Sequence, residues 1–132
     1  MKEELLKRSD FEMSVFYRDR CKCVFCGQKA TAAHHILDRK LFSDGGYYLN
    51  NGVSVCDEHH WLCEIGELSV EEVRAAANII IRILPIELFP DRIYDKWGNQ
   101  KLDDIFFLKG PLFYDSGCQK ALKMNLWRFI DS

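Results

Sequence analysis

No stretch of this 132-residue chain approaches the roughly 20 consecutive apolar residues that cross a bilayer, so no membrane span is expected. The opening Met1-Lys2-Glu3-Glu4-Leu5-Leu6 carries acids and lacks an apolar core of signal-peptide length, so secretion is not expected and a cytoplasmic location is. Internal repeats and low-complexity segments are absent, which excludes solenoid and fibrous architectures. A basic surplus is lacking too. The formal net charge of -2 does not suit a protein that holds nucleic acid by bulk electrostatics. Proline is scarce, with three residues confined to positions 85–111, and histidine is scarcer than most residue types at four.

The composition that remains is that of a folded globular chain. An apolar fraction of 48% and an aromatic fraction of 13% are too high for a disordered segment. The length fits one domain with a modest core, and residues 1–132 are read as such. Charge is unevenly spread. Residues 1–40 carry nine Lys/Arg against six Asp/Glu, residues 41–104 carry five against twelve, and the last 28 residues carry four against two. A local basic surface is compatible with this pattern, but strong non-specific binding is not.

The few histidines and the six cysteines are concentrated. His34-His35 and His59-His60 are adjacent pairs. Cys23-Val-Phe-Cys26 precedes the first, and Cys56-Asp-Glu-His59 runs into the second. Zinc takes four thiolate or imidazole ligands in a tetrahedron, and a two-residue gap lets one turn present two of them. Cys23, Cys26, Cys56 and His59 therefore read as a structural Zn2+ site that ties the first third of the chain to its middle. Gly27 behind the knuckle allows the backbone to fold back beneath the metal. Cys63 and Cys118 have no partner at ligand spacing and read as buried core residues. Cys21 is a poorer substitute for Cys23.

Local patterning places these residues on elements. Ser9-Asp10-Phe11-Glu12 reads as a capping box opening a helix to about Arg20, with Phe11, Val15 and Phe16 buried. Thr31–His35 and Val53–Val55 read as two strands joined by a long connection with Gly45-Gly46 as a turn. Asp57 to about Ile65 reads as a helix with acids at its N-terminus. Ser69-Val-Glu-Glu72 is a second capping box, and apolar residues from Val73 to Leu84 predict a helix ending near Pro85. Residues 85–115 read as loops with one strand at Ile105–Leu108, and Gln119–Phe129 as an amphipathic helix.

Once a four-ligand zinc site is assigned, His34, His35 and His60 are left over, with Asn51 between them. The run Ala33-His-His-Ile36, the segment Asn51-Gly-Val-Ser-Val-Cys56, the ending Cys56-Asp-Glu-His59-His60 and the upstream Cys-x-x-Cys resemble the HNH endonucleases, members of the ββα-metal nucleases. The likeness covers about residues 15–66. It implies an α+β fold, a zinc-stapled ββα-metal core at about 15–66, and a helical and loop-rich extension at about 67–132. It also implies that His34 and His60 hold a catalytic Mg2+ or Mn2+, that His35 deprotonates water, and that Asn51 holds the hairpin loop and orients His35. Such an enzyme hydrolyses phosphodiester bonds, of DNA more than RNA, leaving a 5′-phosphate and a 3′-hydroxyl.

The ending departs from the family's usual Cys-x-x-Cys-His, because His59 stands where the last zinc cysteine would be. Adjacent helical residues point about 100° apart, so one can face zinc and the other a cleft, in either register. Glu64, four residues beyond His60 on the same helical face, could add a third carboxylate ligand, but a solvated helix glutamate is its default reading. Arg39 and Lys40 are candidates for phosphate contact. Trp61 and Trp97 can stack on bases, but core packing is the default for each. The other functional reading is a non-catalytic zinc-stapled module that binds nucleic acid or a protein partner.

Overall fold

The computed structural model describes residues 3–131. Among them, four α-helices and two small sheets form an α+β structure. Helix α1, Arg8–Arg18, packs with its buried Phe11 and Val15 on a two-stranded hairpin. The hairpin pairs β1, Ala32–His35, with β2, Gly52–Val55, in antiparallel register, setting His34 opposite Val53 and His35 opposite Gly52. Helix α2, Asp57–Glu64, follows directly and contacts both strands.

Gly52 makes the helix-on-hairpin packing possible. A Cβ there would lie 2.5 Å from the Phe11 ring and 2.8 Å from Val15, so any side chain would push α1 off the strand. Arg18 then fastens the helix end. Its guanidinium donates to the backbone oxygens of Leu49 and Gly52 and pairs with Asp19, whose carboxylate accepts from the Ser54 amide at 2.8 Å.

Helix α1 differs from its expected boundaries. It begins one residue before Ser9, with Lys7 as a cap that offers no side-chain hydrogen bond, so the first predicted capping box does not form. The second does form: Ser69 accepts from the Glu72 amide and Glu72 accepts from the Ser69 amide. Helix α3, however, spans only Val70–Ala76. Asn78 takes a left-handed conformation with φ 57° and turns the chain, which leaves Ile80 and Ile81 exposed instead of on a helical stripe.

The extension contains more strand than expected. β3, Gln100–Lys101, pairs antiparallel with β4, Phe106–Leu108, and β4 pairs in parallel with β5, Arg128–Ile130. The final helix, α4, covers Ser116–Met124 and stops at Asn125, so the predicted helix to Phe129 gives way to a strand. The Asn125 side chain donates to the backbone oxygens of Ala121 and Ile65, which ends α4 and ties it to α2. Two apolar clusters result. One lies under the hairpin, α2 and α3; the other is built from Trp97, Phe113, Cys118 and Ala121. Trp97 is buried in the second as expected, whereas Trp61 is 53% exposed and not part of either core. No helix among the described residues is long and apolar enough to cross a membrane.

Candidate metal centre and adjoining cleft

The turn holding Cys23 and Cys26 sits against the end of β2 and the start of α2. The Cys23 amide donates to the Gln28 carbonyl, the Val24 amide to the Ser54 carbonyl, and the Gly27 amide to the Cys23 carbonyl. Gly27 takes φ +75°, a conformation that favours glycine. The donor atoms of Cys23, Cys26, Cys56 and His59 lie within 4.8 Å of one another. Cys26 Sγ and Cys56 Sγ are 3.8 Å apart, matching the roughly 3.8 Å that two thiolates about 2.3 Å from a tetrahedral zinc require. Cys56 Sγ is 3.2 Å from His59 Nδ1. This Cys3His group is suited to a metal ion such as zinc. Phe25 stacks on the His59 ring at 5.2 Å and 11°, holding the imidazole toward the cysteines. Burial alone would raise the Cys23 thiol, but hydrogen bonds with the backbone of Cys56, Cys26 and Phe25 bring it below its ordinary value, favouring the thiolate a metal needs. Cys63 and Cys118 are buried elsewhere, and Cys21 stays exposed outside the group.

The neighbouring residue points into a different set. His34, His60 and Glu64 bring their donor atoms within 4.8 Å of one another. Glu64 Oε1 is 3.2 Å from His34 Nδ1 and 3.1 Å from His60 Nε2. Donors at about 2.1 Å in an octahedron stand about 3.0 Å apart, so these three side chains fit a divalent cation. Glu64 is thus not the freely solvated helix glutamate that its sequence position also allowed. Burial by itself would raise its carboxyl. Hydrogen bonds from His34 and His60, with the charge and hydrogen bond of Lys96, outweigh this and hold it well below the usual carboxylate range.

Compared with known proteins, the chain matches no family model, no curated protein and no solved structure. The chemistry of the cleft follows from its own side chains. Ala33, His34, His35, Asp38, Arg39, Lys40, His60, Glu64 and Lys96 line one cavity of about 290 Å³. His34 and His35 both reach it, although neighbours on a regular strand face opposite sides. His34 is buried beside α2, and His35 is the last residue of β1, where the chain leaves the hairpin. The His35 ring stacks on Phe11 at 4.5 Å and meets the edge of Tyr47 at 5.3 Å. Its buried Nε2 has no hydrogen-bond partner.

Asn51 acts through the loop. It is buried, accepts from the Leu37 amide at 3.0 Å, and donates to the carbonyls of Leu37 and Gly46. These bonds tie Asn51 to both ends of the first half of the connection between the strands. The expected amide bond orienting His35 is not formed, because both side-chain atoms are already engaged with Leu37 and Gly46. The backbone oxygen of Asn51 instead accepts from the Ile36 amide, just after His35.

Lys96 was not legible as a site residue. It arrives from 32 positions beyond Glu64, is 8% exposed, and sets Nζ 2.8 Å from Glu64 Oε2. No local motif marks it. Lys40 pairs with Asp115 and Arg39 donates to the Tyr47 hydroxyl, so each is held at the rim by a partner. Tyr94, Trp97 and Asn99, which follow closely after the loop at Pro90, are buried as packing.

Burial lowers both His34 and His35 to about 4; the hydrogen bond with Glu64 opposes this for His34, and the charge of Arg39 adds to it for His35. Each is neutral at pH 7, the form that binds metal or accepts a proton. In a proton–carbon NMR titration, the ring signals of His34 and His35 are therefore expected to stay fixed from pH 8 down to about 5, below the ordinary histidine midpoint near 6.5. A midpoint near 6.5 for either ring would contradict the burial seen here.

Proposed function

We propose that this chain is a metal-dependent HNH endonuclease with a zinc-stapled ββα-metal core, hydrolysing phosphodiester bonds of nucleic acid, DNA in the first instance. The observation that carries this reading is the convergence of His34, His60 and Glu64 beside His35, in a cleft separate from the Cys3His group. A structural zinc module has no need of that second set.

His34, His60 and Glu64 would hold a divalent cation, Mg2+ or Mn2+, which would supply Lewis-acid relief of charge on the phosphate and on the leaving 3′ oxygen. The protein's own residues do the rest. His35 accepts a proton from the water whose oxygen bonds to phosphorus as the P–O3′ bond breaks, and the departing 3′ oxygen takes a proton from solvent, giving a 5′-phosphate and a 3′-hydroxyl. Burial makes it a weak base in the free protein, and the negative charge of a phosphodiester entering the cleft raises its basicity. The stack on Phe11 and the edge of Tyr47 keep the ring from turning away. Lys96 offsets the Glu64 charge, so the cleft does not repel a polyanion. Asn51 ties the connecting loop together at Leu37 and Gly46.

One observation favours the second reading, a non-catalytic binding module. The Glu64–Lys96 pair, with its two histidine contacts, is a satisfied network without a cation. The two readings separate in a single experiment: purified protein incubated with supercoiled plasmid and with RNA, in Mg2+, in Mn2+, and without added divalent cation. The nuclease is expected to nick or linearise plasmid only with a divalent cation. Intact plasmid and RNA under all conditions would leave the binding module as the function.

A further inference from the structure

The acidic middle of the chain gathers three of its few cations at one point. Arg74 on α3 and Arg82 and Arg92 on the following loops line one small cavity with Leu37, Val70, Glu71, Leu84 and Tyr94. Arg74 is only 8% exposed, and its Nε is buried without a hydrogen-bond partner. Arg82 donates to the Pro90 carbonyl. Arg92 reaches Gln100 Oε1 at 3.4 Å and lies over the Phe89 ring at 4.5 Å. Among the described residues, none of the three forms an ion pair with a carboxylate. Glu71 lines the same cavity as the single acid facing them.

Like charges brought together around one acid repel, and a buried guanidinium N–H left unmatched costs more than an ordinary hydrogen bond returns. An anion removes both penalties. We propose that Arg74, Arg82 and Arg92 form an oxyanion site that takes a phosphate group, apart from the Cys3His group and from the His34–His60–Glu64 cleft. The cavity measures about 10 Å³, which admits one oxygen-sized atom. One phosphate oxygen enters toward Arg74 while the exposed Arg82 and Arg92 close on the others at the mouth. Guanidinium forks match phosphate oxygens in pairs, and three forks from separate segments suit a tetrahedral anion better than a planar carboxylate. Burial, with Arg82 nearby and Glu71 opposing, lowers Arg74 to about 10, so it stays charged at neutral pH.

The phosphate has two sources, free phosphate or the backbone of a bound strand. Thermal unfolding of the full chain at constant ionic strength, with inorganic phosphate replacing chloride, tests the site. The wild type is expected to gain several degrees in phosphate, and the double variant Arg82→Gln/Arg92→Gln to lose most of that gain. Both arginines are exposed, and the gain is compared within each protein, so a lower starting Tm does not obscure it. No gain in the wild type, or an equal gain in the double variant, would overturn the site. Binding of a short labelled oligonucleotide without added divalent cation then separates the sources: a several-fold weaker affinity in the double variant assigns the phosphate to a strand, and an unchanged affinity to free phosphate. The site does not depend on the nuclease reading, because His35→Ala is expected to keep the full phosphate gain whether or not the wild type cleaves.

Discussion

Cys56→Ser is expected to release the bound metal and unfold the hairpin with both helices that pack on it. Cys56 is buried at the junction of β2 and α2, where the first ligand pair meets the second. Serine keeps the size but not the thiolate that zinc selects. Structural zinc supplies on the order of 10–16 kcal/mol of apparent binding free energy in small zinc modules. The whole stability of a domain is about 5–15 kcal/mol, so the loss is not one this core can absorb. Cys26→Ser is expected to act alike, although its side chain is exposed, because its effect comes through the metal and not through packing. Elemental analysis and circular dichroism together provide the check, with one zinc per chain expected in the wild type. A wild type that folds fully without zinc would remove the basis for this expectation.

His35→Ala is expected to reduce divalent-dependent cleavage by roughly 10²–10⁴-fold, the range that a positioned general base contributes, while zinc content stays at the wild-type level. The ring is not part of either candidate ligand group, so its removal leaves both groups their donors. Loss of the stack on Phe11 lowers Tm somewhat, and a circular dichroism spectrum like that of the wild type shows that the fold persists. The same plasmid assay with His60→Ala separates base from ligand: there the Mg2+ or Mn2+ requirement rises. Wild-type cleavage by His35→Ala would sink its assignment as the base.

The sequence alone carried what depends on short-range geometry. Two-residue gaps at Cys23–Cys26 and Cys56–His59 bring donors together on a single turn, so the Cys3His group was visible in the spacing. The alternation around Val53 and the acids at Asp57 and Glu58 marked β2 and the start of α2, because strand periodicity and the helix dipole act within a few residues. The second capping box was legible for the same reason, since Ser69 and Glu72 satisfy each other's backbone locally. The end of α3 was not. Apolar residues continue in helical spacing to Leu84, yet the chain turns at Asn78 into a loop that exposes Ile80 and Ile81 and packs Ile79, Ile83 and Leu84 against the core.

Tertiary structure decided the rest. Helical geometry required His59 and His60 to diverge but was neutral about which faced the cysteines; Phe25 packing on one ring and His34 facing the other set the register. Glu64 had the right helical offset from His60, as a solvated glutamate also would. Its place in the cleft depends on a buried histidine 30 residues earlier and on Lys96, 32 residues later. The strand β5 exists because β4 offers it an edge, against a local pattern that favours helix. Local patterns specify backbone shape and near-neighbour ligand pairs. A cleft is assembled from segments whose proximity is set by core packing, which no short stretch of sequence encodes.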